Sequence, residues 1–392
     1  MNTAHQISVN QITLLQSGTE FFPQLCADID AAQHTIYLET YIFAADSTGR
    51  MVADALQRAA ARGVSVRVLL DGYGSAELPQ QWVDDMRAEE VEVRWFRREI
   101  SPFTLRRNRH RRLRRMHRKM AVMDGEVAFV GGINIINDIP VHSDLSKPQL
   151  DYAARVKGPV AGEIHAAMRR LWSVVSWANL SRRGKEIKLL VAGGQRPATS
   201  PDITFILRDN VRHRRDIEKA YLNAIDGARH EIIIANAYFL PGRVFRLAMI
   251  QAASRGVRVV LLLQGRVEYW IQHYATHALY DELLGAGVEI YEYQASYLHA
   301  KVAVVDGSWA TVGSSNIDPF SLLLAREANL AVSHAGFAGE LRASLFAAIA
   351  QDAVRVGDEY DLTRNWAHRL TARLSYVAVR LLIGLLGHGK SI

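Results

Sequence analysis

His117, Lys119 and Asp124 stand in the order His-x-Lys-x4-Asp, and the same order returns at His299, Lys301 and Asp306. A glycine follows each Asp by seven positions and an asparagine by three more: Gly131 and Asn134 in the first copy, Gly313 and Asn316 in the second. In a chain with 14 histidines one such pattern arises easily by chance. Two with the same downstream spacing do not. An imidazole, an ammonium and an amide, offered twice, suit a phosphodiester and need no metal. One His attacks phosphorus as a covalent nucleophile. The other protonates the leaving alcohol, because attack and departure lie in line. The two Lys and two Asn stabilise charge on the non-bridging oxygens. The second His then acts as base on the incoming hydroxyl.

The spacing says how such a site is positioned. His117, Lys119 and Ala121 alternate along a strand, so His and Lys share a face, and His299, Lys301 and Ala303 do the same. Asp124-Gly125 and Asp306-Gly307 read as hairpin turns. Asp124 and Asp306 complete the candidate catalytic set, with fixing the turn as their competing role. The returning strand brings Asn134 or Asn316 back beside its His and Lys. Each His also needs a carboxylate to fix its tautomer. Asp151 opens Asp-Tyr-Ala-Ala-Arg-Val156, which matches Glu327 to Val332, so Asp151 and Glu327 are the candidate orienting acids. Glu39, on an earlier strand, is a further candidate to face the site. His34 and His230 stand where strands begin and read as turn residues.

The motifs sit inside a chain that repeats once. His34 to Phe43 parallels His230 to Phe239, both apolar and β-branched runs that read as buried strands. Each is preceded by a helical pattern: Phe21, Leu25 and Ile29, then Ile217, Tyr221 and Ile225. Each is followed by a helix ending in Arg-Gly, at Gly63 and Gly256, and then by two more strands. Strands alternating with helices predict an α/β fold, with a mixed sheet between helices in each of two units. The expected divisions are a first domain over 1–185, a linker over 186–204, a second domain over 205–362 and a C-terminal helix over 363–392.

The duplicated motif resembles the phospholipase D superfamily over nearly the whole chain. Val68 to Ser75, Arg115 to Lys119, Ile234 to Phe239 and Trp309 to Asn316 resemble the short bacterial cardiolipin synthases of the B type. The resemblance implies two α-β-α sandwich domains related by a pseudo-two-fold axis, with the active site at their interface. It implies joining of two phosphatidylglycerols, with release of glycerol and without cofactor or metal. It implies His117 as nucleophile and His299 as acid and base; the residues themselves leave that order open. The superfamily's Gly-Ser-x-Asn gives Ser314 as a phosphate-binding hydroxyl, whereas the first copy has Gly132 in that place. A phospholipase D or nuclease that uses water has the same His, Lys and Asn. A catalytically silent binding protein is disfavoured by the intact set in both halves.

Composition narrows the partner. The chain of 392 residues is 49% hydrophobic and 22% charged, enough apolar material for two cores. Its net charge is +7, which favours an anionic surface or substrate. Arg106 to Arg115 holds seven arginines just before the first motif, with Phe103, Leu105 and Leu113 nearby. These favour lipid headgroups over nucleic acid. At the C-terminus Trp366, Leu370, Leu374, Val377 and Leu381 recur at helical spacing among Arg364, Arg369, Arg373 and Arg380. That pattern fits an interfacial helix. The single Cys26 excludes an internal disulfide and reads as packing. Met1 to Gln16 does not read as a signal peptide, and no apolar run is long enough to span a bilayer. The expected setting is peripheral, on the cytoplasmic face of a bacterial inner membrane, with phosphatidylglycerol as partner.

Overall fold

The computed structural model describes residues 2–97, 115–139, 144–181, 202–209, 213–318, 325–357 and 366–387. The arginine run before Arg115 and most of the expected linker lie outside the described residues. The chain divides into two compact units. The first holds Met1–Asp138 and Ala153–Phe205; the second holds Ile139–Tyr152 and Ile206–Ile392. The short excursion Ile139–Tyr152 is not visible in the repeat, which runs on through it.

Each unit is built on an eight-stranded mixed sheet. In the first, β1 (Ala4–Ile7) and β2 (Asn10–Gln16) precede α1 (Ser17–Ala31). Then come β3 (Thr35–Thr40), α2 (Ser47–Ala61), β4 (Ser65–Asp71), α3 (Gln80–Ala88), β5 (Glu92–Phe96), β6 (Lys119–Met123), β7 (Val127–Gly131), β8 (Tyr152–Lys157) and α4 (Pro159–Ser181). The strand order is β1-β2-β8-β7-β6-β3-β4-β5. Strands β3, β4 and β5 run parallel, and β6 pairs antiparallel to β3 at the centre.

The second unit repeats the plan. It contains β9 (Ile203–Arg208), α5 (Asp216–Gly227), β10 (Glu231–Asn236), α6 (Arg243–Ser254), β11 (Arg258–Gln264), α7 (Trp270–His277), α8 (Tyr280–Gly285) and β12 (Glu289–Tyr293). It continues with β13 (Lys301–Val305), β14 (Trp309–Gly313), β15 (Glu327–Ser333), α9 (Ala335–Asp352), β16 (Ala353–Val356) and α10 (Trp366–Gly387). The order is β16-β12-β11-β10-β13-β14-β15-β9.

The expected turns have the expected backbone. Gly63 and Gly256 both sit at φ +87 after α2 and α6, the left-handed conformation that ends a helix without a side-chain clash. Asp124-Gly125 and Asp306-Gly307 have positive φ at both positions, which gives the tight turn that matches strand twist. Behind the sheets, one core gathers Phe21, Leu25, Ile36, Leu38, Val68 and Ala121, and the other Ile217, Ile232, Leu261 and Ala303. The motif strands are therefore central and buried on both faces, a rigid base for the side chains at their starts.

Candidate active site

His117 and Lys119 open β6, and His299 and Lys301 open β13. Lys119 is 5% exposed and Lys301 0%. Each ammonium donates to the carbonyl of its own motif histidine: Lys119 Nζ to His117 O at 2.8 Å, and Lys301 Nζ to His299 O. A buried lysine is disfavoured in its charged form. Burial lowers Lys301 to about 8, against the opposing pull of Asp151, Glu327, Glu268 and Asp318.

The two histidines have different neighbours. His299 Nδ1 lies 2.6 Å from Asp151 Oδ2, and the carboxylate is 2% exposed. A carboxylate only accepts, so Nδ1 carries the proton and Nε2 is the reactive nitrogen. Asp151 reaches His299 because the excursion Ile139–Tyr152 is stitched to the start of β13. Leu150 N donates to Tyr297 O at 2.9 Å, His299 N to Leu150 O at 2.8 Å, and Ser296 Oγ to Pro148 O at 2.6 Å. The acid from the first copy's sequence thus serves the second copy's histidine, an exchange the repeat did not suggest. His117 stands edge-on to the Tyr41 ring, centroids 4.9 Å apart, and Lys119 Nζ lies 5.2 Å from the same ring.

Glu327 is fully buried and accepts from Ser314 Oγ at 2.6 Å. Ser314 Oγ also accepts from Ala328 N at 3.1 Å. That hydroxyl is committed to Glu327 rather than offered to a phosphate, contrary to the sequence expectation. Register makes Asp151 and Glu327 equivalent: Gly131 pairs with Ala153, and Gly313 with Asn329. The asparagines are buried at the ends of the return strands. Asn134 Oδ1 accepts from Ile42 N at 3.3 Å, whereas Asn316 Oδ1 has no hydrogen-bond partner among the described residues.

Asp124 and Asp306 are carried away from the imidazoles. Each lies seven residues along the strand from its His, roughly 20 Å at the rise of a strand. Asp124 accepts from the N–H groups of Gln33, His34 and Thr35, and Asp306 from those of Arg229, His230 and Glu231. Burial raises both carboxyls, but three backbone donors outweigh it and hold them below the usual range. They clamp the start of β3 and of β10 to the hairpin. Glu39 also lies off the site. It is buried on the other face of the sheet from Lys119 and pairs with Arg118 at 3.3 Å.

Two positioning residues were not read from the sequence. Asp71 Oδ2 accepts from Met116 N at 2.8 Å, and Gln264 Oε1 accepts from Leu298 N at 2.8 Å. Met116 and Leu298 each precede a motif histidine. Asp71 ends β4 and Gln264 ends β11, so one job is done at equivalent places by different side chains. Burial raises the Asp71 carboxyl, opposed by the N–H groups of Met116, Tyr73 and Gly74. Among the described residues no cluster of His, Cys, Asp and Glu is arranged to hold a metal ion.

Comparison with known proteins gives the family. A family model described as cardiolipin synthase, PLD-like domain, matches residues 25–142 and 221–348. Cardiolipin synthase B of Escherichia coli K12 is 37% identical, over 96% of this chain and 90% of the relative. Cardiolipin synthase B of Salmonella typhimurium LT2 is 39% identical over the same shares. Among solved structures, phosphatidylserine synthase of Haemophilus influenzae Rd KW20 superposes with a TM-score of 0.69 at 13% identity, covering 98% of this chain and 96% of that one. That likeness speaks for the fold. The two matched segments hold the two half-sites, and the chain belongs to the cardiolipin synthase family of phospholipase D-like proteins.

Proposed function

We propose that the chain transfers a phosphatidyl group from one phosphatidylglycerol to a glycerol hydroxyl of a second, forming cardiolipin and releasing glycerol. The observation that carries this reading is the doubled His-x-Lys strand, each lysine tied to its own histidine carbonyl, in a chain 37% identical over 96% of its length to a cardiolipin synthase B.

In this scheme His117 attacks phosphorus and holds the phosphatidyl group as a phosphohistidine. His299, its tautomer fixed by Asp151, gives its Nε2 proton to the departing glycerol and then takes a proton from the acceptor hydroxyl. Lys119, Lys301, Asn134 and Asn316 hold the non-bridging oxygens. Glu327 is the second carboxylate of the scheme, anchored by Ser314. Asp124 and Asp306 move no proton; they fix the hairpins that aim the strands. No metal or cofactor enters any step. The assignment of His117 as nucleophile and His299 as acid and base rests on family likeness, and Asp151 fits His299 for its part by fixing its tautomer.

The same reading includes peripheral docking on an anionic membrane through α10. Leu370, Leu374, Val377 and Leu381 fall within about 60° of one another around the helix. All four are exposed, Leu374 at 60% and Leu381 at 61%. Ala372, Ser375 and Val379, on the opposite side, are buried. A helix already packed on one face would ordinarily be polar on the other. Exposed Arg373 and Arg380 flank the stripe and complement an anionic leaflet such as the cytoplasmic face of the inner membrane. No described helix is long and apolar enough to cross a membrane.

The test is incubation of the purified chain with phosphatidylglycerol vesicles, products followed by mass spectrometry, beside His117→Ala. Cardiolipin and glycerol from the parent alone support the transferase. Phosphatidic acid alone would make it a hydrolase. In the same vesicles Leu374→Glu with Leu381→Glu is expected to lower co-sedimentation at least tenfold; unchanged binding would remove α10 from the docking surface.

A further inference from the structure

The carboxyl ends of β10 and β11 open on a narrow cleft, part of it open to solvent, with α7 along its side. The carboxyl ends of parallel strands are where α/β sheets take their ligands. Tyr238, Gln264, Arg266, Glu268 and Gln272 line the cleft. It is joined to the motif. Gln264 Oε1 accepts from the N–H of Leu298, next to His299, and the charge of Glu268 acts on Lys301.

The polar groups there are matched to hydroxyls. With its oxygen committed to Leu298, Gln264 has its Nε2 buried without a hydrogen-bond partner among the described residues, and Gln272 Oε1 is buried in the same condition. A donor and an acceptor left unmade in one cleft fit a group that both gives and takes a hydrogen bond, as an alcohol does. Tyr238 donates its hydroxyl to Glu268 at 2.8 Å, and burial together with that carboxylate keeps the phenol protonated. Arg266 adds a cation. Its Nη1 donates to Gln294 O at 3.2 Å, and its Nη2 lies 3.6 Å from the exposed Asp144. In the first unit the place of Gln264 is held by Asp71, whose carboxylate has no N–H to offer.

We propose that this cleft is the glycerol subsite of the second unit: it holds the headgroup glycerol that passes His299, first as leaving alcohol and then as acceptor, and Arg266 takes the phosphate that only the acceptor lipid still carries. The proposal rests on the transferase reading and on His299 as its acid and base. In the second step the acceptor oxygen bonds to phosphorus. The phosphorus–nitrogen bond to His117 breaks and its electron pair returns to the imidazole. The hydroxyl proton passes to His299 Nε2. An acceptor seated in the cleft is what lets an alcohol outcompete water at that phosphorus.

The intact chain is given phosphatidylglycerol vesicles and labelled free glycerol. Cardiolipin, phosphatidic acid and labelled phosphatidylglycerol are each read by mass spectrometry. Arg266→Gln is expected to lower cardiolipin at least tenfold relative to phosphatidic acid. Its labelled phosphatidylglycerol, whose acceptor has no phosphate, keeps the parent ratio to phosphatidic acid. Tyr238→Phe and Gln272→Met are expected to lower both alcohol products relative to phosphatidic acid, by about fivefold or more. An unfolded variant makes no product of any kind, so the ratios report on the acceptor and not on folding. Parent ratios in all three variants would overturn the subsite. A parent protein that makes phosphatidic acid but neither alcohol product would instead overturn the transferase reading on which the subsite rests.

Discussion

Two half-sites built from one repeated plan have been furnished differently. In the second unit His299 is tied through Nδ1 to Asp151 and has Ala237 where the first unit has Tyr41. In the first, His117 meets the Tyr41 ring, which also lies near Lys119. The first unit sets a buried ion pair, Arg118 with Glu39, beneath its strand; the second has Ala300 and Ala235 at those places. A fixed tautomer suits an imidazole that passes protons twice in each cycle, whereas a nucleophile must be aimed and left uncharged. The difference lies in the side chains set around identical motifs, and the proposed division of labour is tested by breaking the two apart.

The largest effects should come from breaking the histidines separately. His117→Ala is expected to abolish turnover on lipid and on a nitrophenyl phosphodiester alike. His299→Ala should lower turnover on lipid by about 10²–10⁴, the usual worth of a positioned acid and base. It should lose far less on the nitrophenyl ester, whose leaving group needs no proton. Single-turnover measurement of nitrophenol release checks this, and the reverse pattern would exchange the two roles. Asp151→Asn leaves the shape of the pocket but lets the wrong tautomer form, and should lose about 100-fold on lipid by the same logic.

Much of this was legible in the chain. The helix-ending Arg-Gly pairs, the Asp-Gly hairpins and the alternation of His117, Lys119 and Ala121 each have a local cause, and the fold follows them. What was not legible depends on pairing across long distances. Nothing near Asp151 says that Leu150 will bridge to Leu298, 148 residues away, and so deliver the acid to His299. Asp71 and Gln264 look unrelated as residue types; only strand register shows that each holds the N–H before a motif histidine. The catalytic reading of Asp124 and Asp306 came from their place in the motif. Strand length puts them roughly 20 Å from the chemistry, where backbone donors occupy them.

A pH profile sharpens the comparison further. Lys301 titrates at about 8, because burial disfavours its charge. The phosphate oxygens need the ammonium, so kcat/KM should fall on the alkaline side as pH rises through about 8, about tenfold for each unit beyond. Lys301→Arg keeps its charge throughout. Whatever activity that variant retains should show no such limb. If the limb persists in the variant, another group sets it.

The smallest effect expected concerns stability. Ser314 in the second unit donates to Glu327 and accepts from Ala328 N; the first unit has Gly132 at that position and no hydroxyl. Ser314→Ala leaves a fully buried carboxylate oxygen and a backbone N–H without their partner. Leaving such groups unmade costs about 1–3 kcal/mol. For a unit of this size each kcal/mol lowers Tm by about 2–4 °C. Calorimetry of Ser314→Ala should therefore show one transition moved down by roughly 2–12 °C, while Gly132→Ala creates no unpaired polar group and should not show that loss. Equal shifts in both variants would mean that the hydroxyl is packing alone and that Glu327 is held by something else.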